Sequence, residues 1–194
     1  MGDTKTLVLA SASPRRKQLL EKMGIAFTLC PADVQENNDT SADPEAIAME
    51  NARLKAAAVL AEKPDALVLG SDTVVALEGE VLHKPQDLED AYRMLTKLSG
   101  KRHTVYSGVC LLSNEGVDEC HSVGTQVRFK PLTQEQIKRY CTLVDPLDRA
   151  GAYSIEDHSE LILDQYEGSY TNIVGLPTEL LAELLAPLGF LETA

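Results

Sequence analysis

The segment Ser11-Ala12-Ser13-Pro14-Arg15-Arg16-Lys17 places successive cations at the start of a predicted helix, where the backbone dipole favours anions. Ser13 suits the N-cap and Pro14 the first helical position. The third position, which a capping box fills with Glu or Gln, is Arg16. Each cation so placed costs about 0.3–1 kcal/mol at an exposed site. A bound anion reverses that sign, because free amides at a helix start and guanidinium forks together make a phosphate site. The plainer reading is a solvated helix end that happens to be basic.

Asp72 interrupts the most apolar strand pattern in the chain, between Leu67-Val68-Leu69 and Val74-Val75. A carboxylate there is either a turn residue capping local amides or a buried group with a partner, since burial without one costs several kcal/mol. The apolar flanks favour a catalytic or metal-binding carboxylate. Lys55 shares a helix face with Ala48, Ala52 and Val59 and, taken alone, reads as a snorkelling lysine. Lys84 precedes Pro85, which holds its backbone extended; alone it is a loop lysine. Glu36, after Asp33-Val34-Gln35, is alone a surface acid. The small-residue segments from Asp148 to Glu156 and from Gly168 to Pro177 suit either tight turns or close approach of a ligand to backbone. Taken together, cationic spots and carboxylates near strand ends and helix starts match what a triphosphate with Mg²⁺ requires. No GxxxxGK[ST] motif is present, so this is not a P-loop nucleotide site.

The elements that must position these residues alternate in type. Strands are predicted at 6–10, 26–30, 66–77 with a break at 70–73, 103–112, 123–129 and 161–166. Helices are predicted from Pro14, over 44–60 (started by Ser41 or Asp43), over 88–98 with Leu88, Ala91, Tyr92, Leu95 and Leu98 on one face, over 133–144 with Thr133 and Gln136 as a capping box, and over 178–188. The polar run Glu36 to Asp43 reads as a surface loop. This mixture is an α/β protein, and 194 residues are enough for one domain with a substantial core.

A net charge of −12 repels nucleic-acid polymers and makes a local cluster of cations more telling, a better match to a small anion. No apolar stretch has membrane-spanning length and no signal-peptide pattern opens the chain, so no membrane partner and a cytoplasmic location are expected. The four cysteines, at 30, 110, 120 and 141, fit no zinc spacing. Cys110 and Cys141, among apolar residues, read as buried thiols; Cys120-His121 is a weak metal candidate.

In this order, Leu9-Ala10-Ser11-Ala12-Ser13-Pro14-Arg15-Arg16, Asp33-Val34-Gln35-Glu36, Ala52-Arg53-Leu54-Lys55-Ala56, Gly70-Ser71-Asp72-Thr73-Val74-Val75, Lys84-Pro85, Leu98-Ser99-Gly100 with His103, Asp145-Pro146-Leu147-Asp148 with Ala150-Gly151-Ala152-Tyr153, and Val174-Gly175-Leu176-Pro177 resemble the Maf family of nucleoside triphosphate pyrophosphatases. The resemblance spans nearly the whole chain. It implies a single domain over 1–194, with two α/β lobes of the Maf and inosine-triphosphatase kind around a central mixed sheet and a substrate cleft between them. It implies hydrolysis of a nucleoside triphosphate to the monophosphate and pyrophosphate. Ser11, Arg16, Lys55 and Lys84 would hold the phosphates, and Glu36 and Asp72 would hold Mg²⁺ or Mn²⁺, with Asp72 also the proton acceptor. Family members are often homodimers and are linked to septum formation or to clearing non-standard nucleotides.

Three base-proximal positions follow from the same resemblance: Arg15, Thr73 and Glu156. Arg15 and Thr73 match the branch acting on dTTP and UTP, which usually has Gln at the third position; Glu156 matches the branch acting on 7-methyl-GTP. A carboxylate accepts hydrogen bonds only, which suits guanine N1–H and N2–H₂, yet it also accepts from pyrimidine N3–H. Two positions against one favour dTTP and UTP. The competing functions are an inosine-triphosphate pyrophosphatase of related architecture and a nucleotide-sensing division regulator without turnover. The full set of Asp72, Lys55 and Lys84 argues against the regulator.

Overall fold

The computed structural model describes residues 6–40 and 42–191. In chain order the elements are β1 (Leu7–Leu9), α1 (Pro14–Lys22), β2 (Phe27–Leu29), α2 (Pro44–Glu62), β3 (Leu67–Leu77), β4 (Glu80–Leu82), α3 (Leu88–Leu98), β5 (Arg102–Leu112), β6 (Asp118–Phe129), α4 (Gln134–Leu143), β7 (Leu163–Glu167), α5 (Tyr170–Val174) and α6 (Thr178–Leu185). The strands form one sheet in the order β2-β1-β3-β5-β6-β7, with β4 also on β3. β1 is parallel to β2 and β3, and the remaining pairs are antiparallel, so the sheet is mixed as expected.

Period-two alternation divides the core between the faces. Leu7, Leu9, Leu67, Leu69, Val109 and Leu111 pack with Leu19 and Leu20 of α1 and with Leu181 and Leu185 of α6. Val8, Val68, Cys110 and Leu112 pack under Ala52, Ala56 and Val59 of α2. Beyond them Val75, Leu77 and Val105 join Leu95 and Leu98 of α3 and Ile137 and Tyr140 of α4. The stripe expected on α3 is largely realised: Ala91, Leu95 and Leu98 are buried and Tyr92 packs beside them, but Leu88 is exposed.

One irregularity in the sheet makes the site possible. β1 pairs with β3 only as far as Leu69, and β4 joins that same side of β3 only at Val75. Between them Gly70 to Val74 remain paired with β5 alone. Side chains from both faces of β3 can therefore reach one gap.

Several expected boundaries move. β3 runs without the expected break at 70–73, because β5 pairs with it continuously from Val68 to Ala76. β4 is an additional strand, turned back by Glu78 and Gly79, both at positive φ, in a two-residue hairpin loop. β6 begins at Asp118, five residues before its apolar alternation starts. Asp43 is the N-cap of α2, without a side-chain capping bond; Ser41 lies outside the described residues. Ser13 caps α1 by accepting from the Arg16 amide, and the Thr133–Gln136 capping box is complete in both directions. Cys110 is buried as expected but is not a thiol. The β5–β6 register sets it opposite Cys120, with Cα atoms 4.2 Å apart, and the two form a disulfide. Cys141 is a half-buried thiol, pushed up to about 11 by burial. His121 pairs with Glu119, and among the described residues no group of three or more His, Cys, Asp or Glu is placed to hold a metal.

His103 lies in the core between Phe129 and Tyr153, its Nε2 3.0 Å from the Tyr153 hydroxyl and its Nδ1 without a partner. Burial pushes its imidazole down to about 4. The unfolded chain therefore takes up a proton near the ordinary histidine value of about 6.5 while the folded chain stays neutral, so stability is fully present above that value and is lost as pH falls toward 4. Urea unfolding should show this residue removing about 2 kcal/mol between about pH 7.5 and about pH 5, a loss that His103→Gln abolishes. An equal acid loss in both proteins would refute this role.

Candidate active site

The gap in the sheet opens into a cleft of about 790 Å³, within the range of small-molecule sites. The β1–α1 turn, the loop after β2, α2, β3, the loop after β4, and the segment from Asp148 to Glu156 line it. Five cations (Arg15, Arg16, Lys55, Lys84 and Arg149) and four acids (Glu36, Asp72, Asp148 and Glu156) are among the lining residues, so the cleft is locally balanced inside a strongly acidic chain. Lys17 departs from the expected basic cluster: its side chain is half-exposed and pairs with Glu21 one turn on.

Alternation along β3 distributes its polar residues. Asp72 points to α2, and Ser71 and Thr73 point to the other face. On the α2 side Lys55 Nζ stands 2.7 Å from Asp72 Oδ1 and 2.7 Å from Glu36 Oε1. Lys55 is thus buried between two carboxylates, where a snorkelling lysine would reach for water. Ala48, Ala52 and Ala56 bring α2 directly onto the strands. Asp72 keeps capacity on both oxygens: a carboxylate has about four acceptor sites, and among the described residues it accepts from Lys55 and from Asn51 Nδ2 at 3.2 Å.

On the other face the buried Arg16 guanidinium is held by three donations: Nε to the Gly175 carbonyl at 2.8 Å, Nη1 to Ser11 Oγ at 3.2 Å and Nη2 to Thr73 Oγ1 at 3.1 Å. Ser11 Oγ also accepts from the Ser13 amide, so one hydroxyl joins the β1–α1 turn to the arginine. Burial lowers the Arg16 guanidinium from its ordinary value, and Asp72 and Glu36 act against that fall. Thr73 is fixed from behind, its hydroxyl 2.8 Å from Ser107 Oγ. Gly175, in the second small-residue segment, has a φ of 125° that favours glycine, and its carbonyl aims Arg16.

Also lining the cleft, Lys84 pairs with Asp148, whose carboxyl it holds below its ordinary value, and Arg15 Nη2 donates to the Asp148 carbonyl at 3.2 Å. Lys84 and Asp148 are both largely exposed, so this pair is easily exchanged for another anion. Glu156 lies exposed on the cleft wall, where its charge and those of Asp148, Asp157 and Arg149 act on Arg15. Gly151 is small for packing, since a Cβ there would come 3.1 Å from Val75 Cγ1 on β3.

The residues that the resemblance assigned to the site all line this one cleft: Ser11, Arg15, Arg16, Glu36, Lys55, Asp72, Thr73, Lys84 and Glu156. Asn51 was missed. It stands one turn before Lys55 as the polar residue of an otherwise apolar stripe, a signal that helical spacing alone offers.

Residues 6–188 match the family described as Maf-like protein. The chain belongs to the Maf family. Among its Maf relatives, a protein of Moorella thermoacetica named dTTP/UTP pyrophosphatase is 46% identical over 184 residues, covering 94% of this chain and 95% of that one. One of Akkermansia muciniphila, with the same name, is 42% identical over 184 residues, covering 95% and 97%. The Staphylococcus aureus Ham1 protein shares the Maf chain's fold at a TM-score of 0.56 and 15% identity, over 95% of this chain and all of that one. Among the described residues no helix is long and apolar enough to cross a membrane.

Proposed function

We propose that the cleft hydrolyses the α–β anhydride of a nucleoside triphosphate, with dTTP and UTP preferred, to give the monophosphate and pyrophosphate. The observation that carries this reading is the arrangement around the gap in the sheet, where Asp72 and Glu36 converge on Lys55 while Arg16, held from behind, flanks the same space. The names of the Maf relatives support the same reaction and bases.

Ser11 and Arg16, at the amide-rich start of α1, bind phosphate oxygens, as do Lys55 and Lys84; Lys84 exchanges Asp148 for the substrate. Water attacks the α-phosphorus, the bond to the bridging oxygen breaks, and Asp72 takes a proton from the water. Positioning and charge dispersal supply most of the rate. Glu36 and Asp72 fit a hard divalent ion, Mg²⁺ or Mn²⁺, because both carboxylates already reach one cationic atom. When bound, such an ion neutralises charge on the departing pyrophosphate. Glu156 accepts from N3–H of thymine or uracil, and Arg15 and Thr73 complete the base-proximal set.

A panel of nucleotides, with pyrophosphate and monophosphate measured together, tests this. Equal yields of both from dTTP and UTP, dependent on a divalent ion, are expected, with 7-methyl-GTP, ITP and XTP turned over far more slowly. Orthophosphate release, or binding without turnover, would overturn the reaction; preference for 7-methyl-GTP would overturn the assignment of the base.

A further inference from the structure

Asn51 is 2% exposed and its side-chain amide is committed in three directions. Nδ2 donates to Asp72 Oδ2 at 3.2 Å and to the Asn37 carbonyl at 3.1 Å, and Oδ1 accepts from the Asn37 amide at 2.7 Å. The two bonds to Asn37 imitate a rung of sheet pairing and tie the loop after β2 to α2. Glu36 is the residue next to that rung, and its carboxylate meets Lys55, which lies one turn on from Asn51 in the same helix. One buried amide thus touches one carboxylate of the site and anchors the backbone that carries the other. Lys55 also meets both acids, but by charge, whereas Asn51 does so through a neutral group.

We infer that Asn51 is a positioning residue that sets the distance and orientation between Asp72 and Glu36, so that the two carboxylates meet one divalent ion. The inference rests on the pyrophosphatase reading above. A carboxylate pair held only by a lysine is free to turn about its side-chain torsions, and each ordered partner that prevents this is worth about 10- to 100-fold in metal affinity or activity. Asn suits the task because a single planar group both donates and accepts.

Two variants separate the parts of this role. Asn51→Ala removes all three bonds, whereas Asn51→Asp keeps the acceptor for the Asn37 amide but faces Asp72 with a carboxylate. The measurements are kcat and KM for dTTP, the half-activating Mg²⁺ concentration, Mn²⁺ affinity by electron paramagnetic resonance in the presence of α,β-methylene-dTTP, and hydrogen exchange of the 31–40 segment. In Asn51→Ala kcat should fall about 10- to 100-fold, half-activating Mg²⁺ should rise and Mn²⁺ affinity should fall by similar factors, with KM for dTTP nearly unchanged. The exchange of the Asn37 amide should quicken at least about tenfold in Asn51→Ala and much less in Asn51→Asp.

A purely structural role would lower the folded fraction, and with it kcat, without moving half-activating Mg²⁺ or Mn²⁺ affinity; that outcome overturns the inference. So does an Asn51→Ala protein whose Mg²⁺ and Mn²⁺ responses stay within about twofold of the parent's. If Asn51→Ala does not fold, Asn51→Ser, which is neutral like the parent side chain, carries the metal test. Failure of the parent protein to release pyrophosphate would refute the pyrophosphatase reading, while the Mn²⁺ and exchange measurements would still decide the role of Asn51.

Discussion

Asp72→Asn should lower pyrophosphate release by about 10²–10⁴-fold at saturating nucleotide, the range that a positioned general base contributes. The substitution preserves shape and removes charge. The buried Lys55 ammonium then keeps Glu36, 2.7 Å away, as its carboxylate, so the variant should fold. Removing a partner from a buried pair costs about 3–5 kcal/mol when the other charge is stranded, and the half-exposed Glu36 reduces that cost. Thermal unfolding by circular dichroism should therefore show a folded protein, and dTTP should still bind through Arg16 and Ser11. Turnover within about tenfold of the parent would remove Asp72 from the proton-transfer step.

Gly108→Ala should be strongly destabilising. Gly108 lies opposite Asp72 in the β3–β5 register, under α2. A Cβ there would stand 2.2 Å from the Ala48 carbonyl oxygen and 2.5 Å from its carbon, so the neighbour that must move is helix backbone. Gly70, the other glycine under this helix, would put a Cβ 2.0 Å from the Ala52 carbonyl oxygen. Overpacking of this kind costs about 1–3 kcal/mol or more, and with no side chain able to yield the upper end is expected: about 3 kcal/mol, or about 10 °C in Tm for a chain of this size. Because Lys55 and Asn51 both project from α2 onto Asp72, lifting the helix also separates the site, and a displacement of about 1 Å costs about 10² in rate. A Gly108→Ala protein with the parent's Tm and kcat would show that α2 does not need this close seat.

These two residues also mark what was legible in the linear chain. Asp72 was conspicuous because a charge inside an apolar run must find a partner, and that rule operates along the sequence. Gly108, in an ordinary strand pattern, carried no such mark. Its significance arises from the carbonyl of Ala48, sixty residues away in the chain and brought to it by the sheet. The Cys110–Cys120 disulfide was hidden for the same reason: a separation of 10 becomes contact only once the hairpin register is set. Asn51 could be seen as a polar intruder on a helix face, but its partners, Asp72 and the Asn37 backbone, belong to other elements.

Local order by itself determined the alternation of strands and helices, the caps at Ser13 and Thr133, and the presence of cations where a helix start calls for anions. Each is set by neighbours within about four residues, where backbone geometry is shared and the chain cannot avoid its own side chains. Tertiary structure alone decided that β1 pairs with β3 only as far as Leu69 and β4 only from Val75, leaving a stretch of β3 open to both faces of the sheet. It also decided which charges meet: Lys55 with Glu36 and Asp72, Lys84 with Asp148, and Arg16 with the Gly175 carbonyl. Those pairings depend on strand register and on how closely a helix can approach a sheet, quantities set by packing between segments far apart in the chain.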